Sequence, residues 1–199
     1  MNVPQFWDFC QRPENRARIL ELLYGEVIEL PIPYLKHGVV CARMGFLLDE
    51  YARRLGRGYV LLGCVGTILQ HDPPSVLGPD VAYHAHWDSD ADPLTGWANT
   101  LPELVVEVVS PNDNPTITAA KIREYLRNGV KIVWLVNCEE RNVIALRPNQ
   151  QVEVVGEEGE LTGGEELAGL SIQVADIFKL PSERAKAVFP SRPERPAAQ

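Results

Sequence analysis

Residues 104–110 read Leu-Val-Val-Glu-Val-Val-Ser, and residues 131–137 read Lys-Ile-Val-Trp-Leu-Val-Asn. A strand covered on one face alternates apolar with polar residues, whereas these segments are apolar almost throughout, the pattern of strands buried on both faces. Pro111 stops the first of them, since proline has no N–H to give a ladder. Between the two, residues 117–128 carry an amphipathic helical pattern that closes at Gly129. Strand, helix, strand in this order predicts a right-handed crossover joining neighbouring parallel strands. The fold class that follows is α/β, a mixed sheet with helices on its faces.

Outward from this unit the pattern stays that of one domain. Residues 36–55 place His37, Val40, Cys41, Met44, Leu48, Tyr51 and Leu55 at i+3/i+4 spacing, one stripe of a helix that Gly56 and Gly58 end. Residues 19–31 predict two short strands around Tyr24-Gly25. Residues 59–70 read as one strand, broken at Asp72-Pro73-Pro74 before a strand resumes over 79–84. Residues 88–99 form a polar loop. Residues 141–146 and 151–155 flank Pro148-Asn149 and predict a hairpin, 156–169 an acidic, glycine-rich loop, and 170–178 a short apolar return to the core. Residues 1–18 support only a short helical piece. From Pro181 onward Pro, Ser, Arg and Ala dominate apart from Val188-Phe189, so a single domain over 1–182 is expected to carry a disordered tail over 183–199.

The 199 residues include 19 Lys+Arg against 27 Asp+Glu, a net charge of −8, with 45% hydrophobic residues. That composition suits a globular core and excludes disorder throughout, collagen and a coiled coil. The acidic balance argues against holding nucleic acid by electrostatics alone, but not against an enzyme that bridges carboxylates to phosphate through a cation. No apolar run approaches the roughly 20 residues that cross a bilayer. Residues 1–19 hold Pro, Asp and Glu where a signal peptide needs apolar residues, and a cytoplasmic protein is expected. Cys10, Cys41, Cys64 and Cys138 fall singly, without a CxxC pair, and read as reduced, mostly buried thiols.

Glu107 stands in the middle of the first apolar strand. A carboxylate there protonates, finds a cation or coordinates a metal, because an unpaired charge in the interior is costly. Asp80 opens the preceding strand, and antiparallel pairing of the two strands brings both carboxylates to one edge. Two hard oxygen ligands suit Mg²⁺. The alternative has Asp80 capping a turn and Glu107 paired with an arginine. Lys121 borders the apolar sector that runs through Tyr125, Gly129, Ile122 and Leu126, placed either to reach over the sheet edge or to snorkel into solvent. His37 reads by default as a hydrogen-bonded core histidine, and Ser110 as a strand-end cap with phosphate contact as its alternative. His84 and His86 form an H-x-H pair near His71, but no third ligand of clear spacing makes zinc the reading.

Pro79-Asp80-Val81, then residues 102–111, then Lys121 with Tyr125, Gly129-Val130 and residues 134–137 together resemble the Uma family of putative endonucleases, within the PD-(D/E)XK restriction-endonuclease-like superfamily. Residues 21–26, His37, and the closing 167–171 and 176–178 extend the resemblance over residues 19–180. It implies a restriction-endonuclease-like mixed central sheet flanked by helices, with additional N-terminal and C-terminal hairpins, and it assigns Asp80 and Glu107 to a metal. The superfamily lysine stands two residues after the glutamate, where this chain has Val109, and the resemblance points to Lys121 as its replacement. Glu26 matches a further acidic position, either an auxiliary ligand or base or an exposed residue after a hairpin turn. His37, Ser110 and Tyr125 are further auxiliary candidates. Tyr24 replaces the usual turn Asp, and Asn137 stands where Asp often ends its strand.

Two functions follow as expectations. One is Mg²⁺-dependent hydrolysis of DNA by Asp80, Glu107 and Lys121, with Mn²⁺ substituting, in a homodimer that offers two sites. The other is a catalytically degenerate nuclease-fold module, dimeric and regulatory.

Overall fold

The computed structural model describes residues 1–88, 90, 95–110, 113–148 and 151–179. The chain opens with helix α1 (Val3–Cys10) and the hairpin β1 (Ile19–Leu23) and β2 (Glu26–Leu30), then enters the long helix α2 (Leu35–Leu55). Strands β3 (Tyr59–Leu62), β4 (Thr67–His71), β5 (Pro74–Leu77), β6 (Val81–His84) and β7 (Leu104–Val109) follow. Helix α3 (Pro115–Asn128) leads to β8 (Ile132–Asn137), β9 (Asn142–Arg147), β10 (Gln151–Val155), β11 (Glu160–Thr162), β12 (Ser171–Gln173) and the short α4 (Val174–Ile177). Among the described residues, no helix is long and apolar enough to cross a membrane.

The central sheet has six strands in the order β10-β9-β8-β7-β6-β3. Its one parallel pair is β7 with β8, in the register Val106↔Trp134 and Glu107↔Leu135, and α3 spans the crossover between them. Alternation along β7 sorts its side chains between two cores. Leu104, Val106 and Val108 join Met44, Leu48 and Tyr51 of α2 and the fully buried Trp134. Val105 joins Ile122 and Tyr125 of α3 with Leu77 and Leu23 on the opposite face. Each such aliphatic side chain contributes about 1.5–3 kcal/mol by leaving water, so both faces hold the strand. Glu107 shares Val105's parity, and the face that would otherwise be apolar there receives a carboxylate.

The second sheet has the order β2-β1-β5-β4, all antiparallel. Here the structure corrects the reading of residues 59–70 as one strand. Gly63 (φ 87°) and Cys64 (φ 58°) adopt left-handed backbone, which ends β3 in the central sheet and sends β4 into the other. The break at Asp72-Pro73-Pro74 is the turn of a β4–β5 hairpin, so the strand resumes at Pro74 and stops at Gly78 before β6. Residues 156–169 are not loop throughout: β11 pairs with β12, anchored by the buried Leu161 and Ile172. The predicted hairpin appears as β9 and β10 in the register Val143↔Val155. The helix placed at 117–128 starts earlier, at Pro115, because Asn114 accepts the Thr116 N–H at 2.9 Å and caps it. The tail expected from Pro181 onward lies outside the described residues, as do Pro111 and parts of the 88–99 loop and the Pro148-Asn149 turn.

Gly78 joins β5 to the segment that carries Asp80. A Cβ at this position would stand 2.6 Å from the Cys64 carbonyl oxygen, a rigid backbone neighbour. Gly78→Ala is therefore expected to cost about 1–3 kcal/mol by overpacking. Urea denaturation measures it, and an unchanged midpoint would show that the 63–66 turn yields freely.

Candidate active site

Antiparallel pairing of β6 with β7 sets Val81 opposite Val106 and brings Asp80 beside the outgoing end of β7. Asp80 Oδ2 accepts the Val108 N–H at 2.7 Å, which ties the carboxylate to the strand that carries Glu107. Helix α3 crosses the same edge and presents Lys121 and Tyr125, four residues apart and so on one face. Lys121 Nζ donates to Glu107 Oε2 at 3.1 Å, and Tyr125 Oη donates to Glu107 Oε1 at 2.7 Å. Both hydrogen-bonding edges of Glu107 are thereby oriented.

A third carboxylate completes the group. Glu21 of β1 lies 2% exposed, with Oε1 3.0 Å from Lys121 Nζ and accepting the Gly78 N–H at 2.7 Å. Its Oε2 is buried with no hydrogen-bond partner among the described residues. From α2, His37 Nε2 stands 3.2 Å from Asp80 Oδ2, and Cys64 of the β3–β4 turn directs its thiol at Asp80 Oδ1, 3.8 Å away.

Burial dominates the electrostatics. It pushes Glu107 up to about 7, with Lys121 pulling down and the Asp80 and Glu21 charges adding to the rise. Glu21 is raised by the same loss of water, against the opposing pull of Lys121 and the Gly78 N–H. Burial alone would lower Lys121, but Glu107 and then Glu21 more than reverse it, so the ammonium stays charged. The hydrogen bond to Asp80 raises His37.

Asp80, Glu107, Lys121, His37, Ser110 and Thr118 face one cavity of about 330 Å³. The lining also includes the apolar Pro31–Tyr34 segment, where Ile32 is exposed, and residues at the start of α3. Tyr125 lies beneath, fully buried against Glu107.

Several expectations change. Glu107 meets a lysine and a tyrosine rather than an arginine. Lys121 is 5% exposed, not a snorkelling residue. His37 faces the cavity instead of the core, because its ring turns toward Asp80. Ser110 lines the cavity while its N–H donates to Asp113 Oδ2 at 2.7 Å, closing a turn. Glu26 is exposed at the first position of β2, opposite Leu23, and does not line the cavity. His84 is buried and stacked on Tyr59, while His86 is exposed near Arg57. The residue missed is Glu21. Its signal was present, since Ile-Leu-Glu-Leu-Leu repeats the interruption of an apolar strand by a carboxylate that singled out Glu107.

A mixed sheet that brings a carboxylate of β7, a carboxylate at the entry to β6 and an amine of the crossover helix to one cavity defines the class: a nuclease-like α/β domain. The family model for Uma2, described as "Putative restriction endonuclease", matches residues 4–175, and the chain belongs to that family. A solved structure described as a putative nuclease belonging to DUF820, from Anabaena variabilis, shares the fold with a TM-score of 0.75 at 18% identity. That match covers 89% of this chain and 97% of the other. No curated protein matches the sequence.

Lys121 is the cation shared by two buried carboxylates. Lys121→Met at neutral pH is expected to destabilise the protein by about 3–5 kcal/mol, and adding Glu21→Gln and Glu107→Gln should recover most of the loss. Urea denaturation of the single and triple variants measures this; a single variant as stable as wild type would mean that the carboxylates do not depend on the ammonium.

Proposed function

We propose that this chain is a Mg²⁺-dependent endonuclease acting on DNA, with Asp80 and Glu107 holding the cation. The observation that carries the reading is the convergence of these two carboxylates, anchored by Val108 N–H and Tyr125 Oη, on a cavity that also receives Lys121. The donor set fits a hard divalent ion: carboxylate oxygens in partial burial, with a further carboxylate oxygen, Glu21 Oε2, buried and unpartnered among the described residues. Bound there, Mg²⁺ supplies a water of lowered pKa and polarises a phosphate oxygen. Mn²⁺ serves as a substitute.

The chain's own groups do the rest. Tyr125 and Lys121 hold Glu107 in one orientation, and His37 with Val108 N–H does the same for Asp80. The Lys121 ammonium offsets the negative charge that develops on the phosphate oxygens. The first turn of α3 adds the positive end of its dipole to that wall of the cavity. No covalent enzyme intermediate is needed. A homodimer related by a twofold axis presents two such sites to the two strands of a duplex.

A second reading has its own observation. Both Glu107 oxygens already have partners within the protein, and the chain is net acidic, as in a module whose catalytic pocket has been retired to structure.

Calorimetric Mn²⁺ titration beside plasmid nicking separates the two. Glu107→Gln is expected to weaken Mn²⁺ binding and abolish nicking while the fold survives, because a buried charge has been removed. Lys121→Met, assayed where it remains folded, is expected to bind Mn²⁺ as well or better and to lose about 10²–10³-fold in cleavage. Unchanged Mn²⁺ affinity in Glu107→Gln together with unfolding would make Glu107 half of a structural ion pair and favour the module.

A further inference from the structure

The cavity holds a second donor set of different chemistry. His37 and Cys41 are four residues apart on α2 and therefore share a face, and His37 Nδ1 stands 3.3 Å from Cys41 Sγ. The other ring nitrogen is 3.2 Å from Asp80 Oδ2. One ligand atom from each of His37, Cys41 and Asp80 falls within 4.8 Å of the others, and all three residues are partly accessible. Among the described residues this is the one such group of histidine, cysteine and carboxylate.

Imidazole, thiolate and carboxylate together are not a magnesium set. Mg²⁺ prefers oxygen and water, while Zn²⁺ takes N, S and O donors in a tetrahedron. Bond lengths of about 2.0–2.3 Å put tetrahedral ligand atoms about 3.3–3.7 Å apart, so rotations that move the side chains by roughly 1 Å close the set around one ion. Three protein ligands leave the fourth position open to water or to substrate.

We propose that His37, Cys41 and Asp80 form a zinc site that competes with the catalytic cation for Asp80. Coordination displaces the Cys41 thiol proton to solvent. The sulfur then holds the ion as thiolate, and the Asp80 oxygen that already faces His37 is engaged by the ion at α2. Zinc thereby silences the site without touching Glu107 or Lys121. The inhibitory consequence rests on the assignment of Asp80 to the catalytic cation; the zinc site itself does not.

Co²⁺ is the probe, added to the purified full chain without Mg²⁺. One equivalent is expected to bind with a near-ultraviolet sulfur-to-cobalt charge-transfer band that Zn²⁺ abolishes by displacement. Outer-shell partners alone are worth roughly 10–100-fold in metal affinity, so Cys41→Ser is expected to lose the band and at least about tenfold in Zn²⁺ affinity. His37→Gln should weaken binding while keeping sulfur ligation, a second variant should Cys41→Ser fold poorly, and Cys10→Ser should leave the band intact. No band in the wild type, or an equal band in Cys41→Ser, overturns the site. In Mg²⁺-supported nicking, Zn²⁺ should inhibit the wild type at a concentration at least about tenfold below that needed for Cys41→Ser. Equal inhibition of both overturns the competition while leaving the nuclease reading standing; absence of nicking in Mg²⁺ and Mn²⁺ fails the nuclease reading, and the cobalt band still decides the site.

Discussion

One ammonium between two carboxylates in an otherwise apolar interior is the constraint on which this structure turns. Lys121 Nζ lies 3.0 Å from Glu21 and 3.1 Å from Glu107, and all three side chains are nearly out of water. An isolated charge in such surroundings costs far more than one hydrogen bond returns, so the two carboxylates depend on the ammonium they share. Their residence in three separate elements, β1, β7 and α3, makes the cluster a clamp between the two sheets and the crossover helix. Glu21 also accepts the Gly78 N–H, which carries the clamp into the segment that presents Asp80.

Buried ion groups of this kind are seldom the most stable solution to filling a core, since apolar side chains of similar volume often do as well or better. Retaining one at the rim of a cavity makes sense when the same charges serve a ligand. In the proposed reaction the network has that double use: Tyr125 and Lys121 restrict Glu107 to one rotamer, and the Val108 N–H restricts Asp80, so the carboxylates are oriented before any cation or phosphate arrives. Orientation fixed by the fold need not be established during the reaction. The imidazole and thiols around Asp80 add a softer donor set beside the same carboxylate.

Parts of this arrangement could be read before any coordinates. Glu107 declared itself because a carboxylate interrupts a run that must be apolar on both faces, and Asp80 because a strand followed immediately. Glu21 sits in a run of the same kind, yet the family resemblance singles out Glu26 as the further acidic position and takes in Glu21 only as part of the matched segment 21–26. Lys121 reached the candidate set through family resemblance; its helical angle alone left it as readily a surface residue. The division of residues 59–71 between two sheets was hidden, because nothing in Tyr-Val-Leu-Leu-Gly-Cys-Val-Gly distinguishes a strand with a glycine from a strand that ends at one.

What the sequence determined by itself is local and periodic. Apolar runs without alternation require double coverage, an amphipathic helix between two of them requires a parallel crossover, and together they commit the chain to an α/β fold. What only the tertiary structure decided is which charges meet. Glu21, Asp80, Glu107 and Lys121 lie 14 to 100 residues apart in the chain, and their encounter depends on strand order, on the parity of each strand and on the angle at which α3 crosses the sheet. Periodicity reports which face a side chain takes, but not which distant face lies against it, and the energy of a buried charge depends almost entirely on that neighbour.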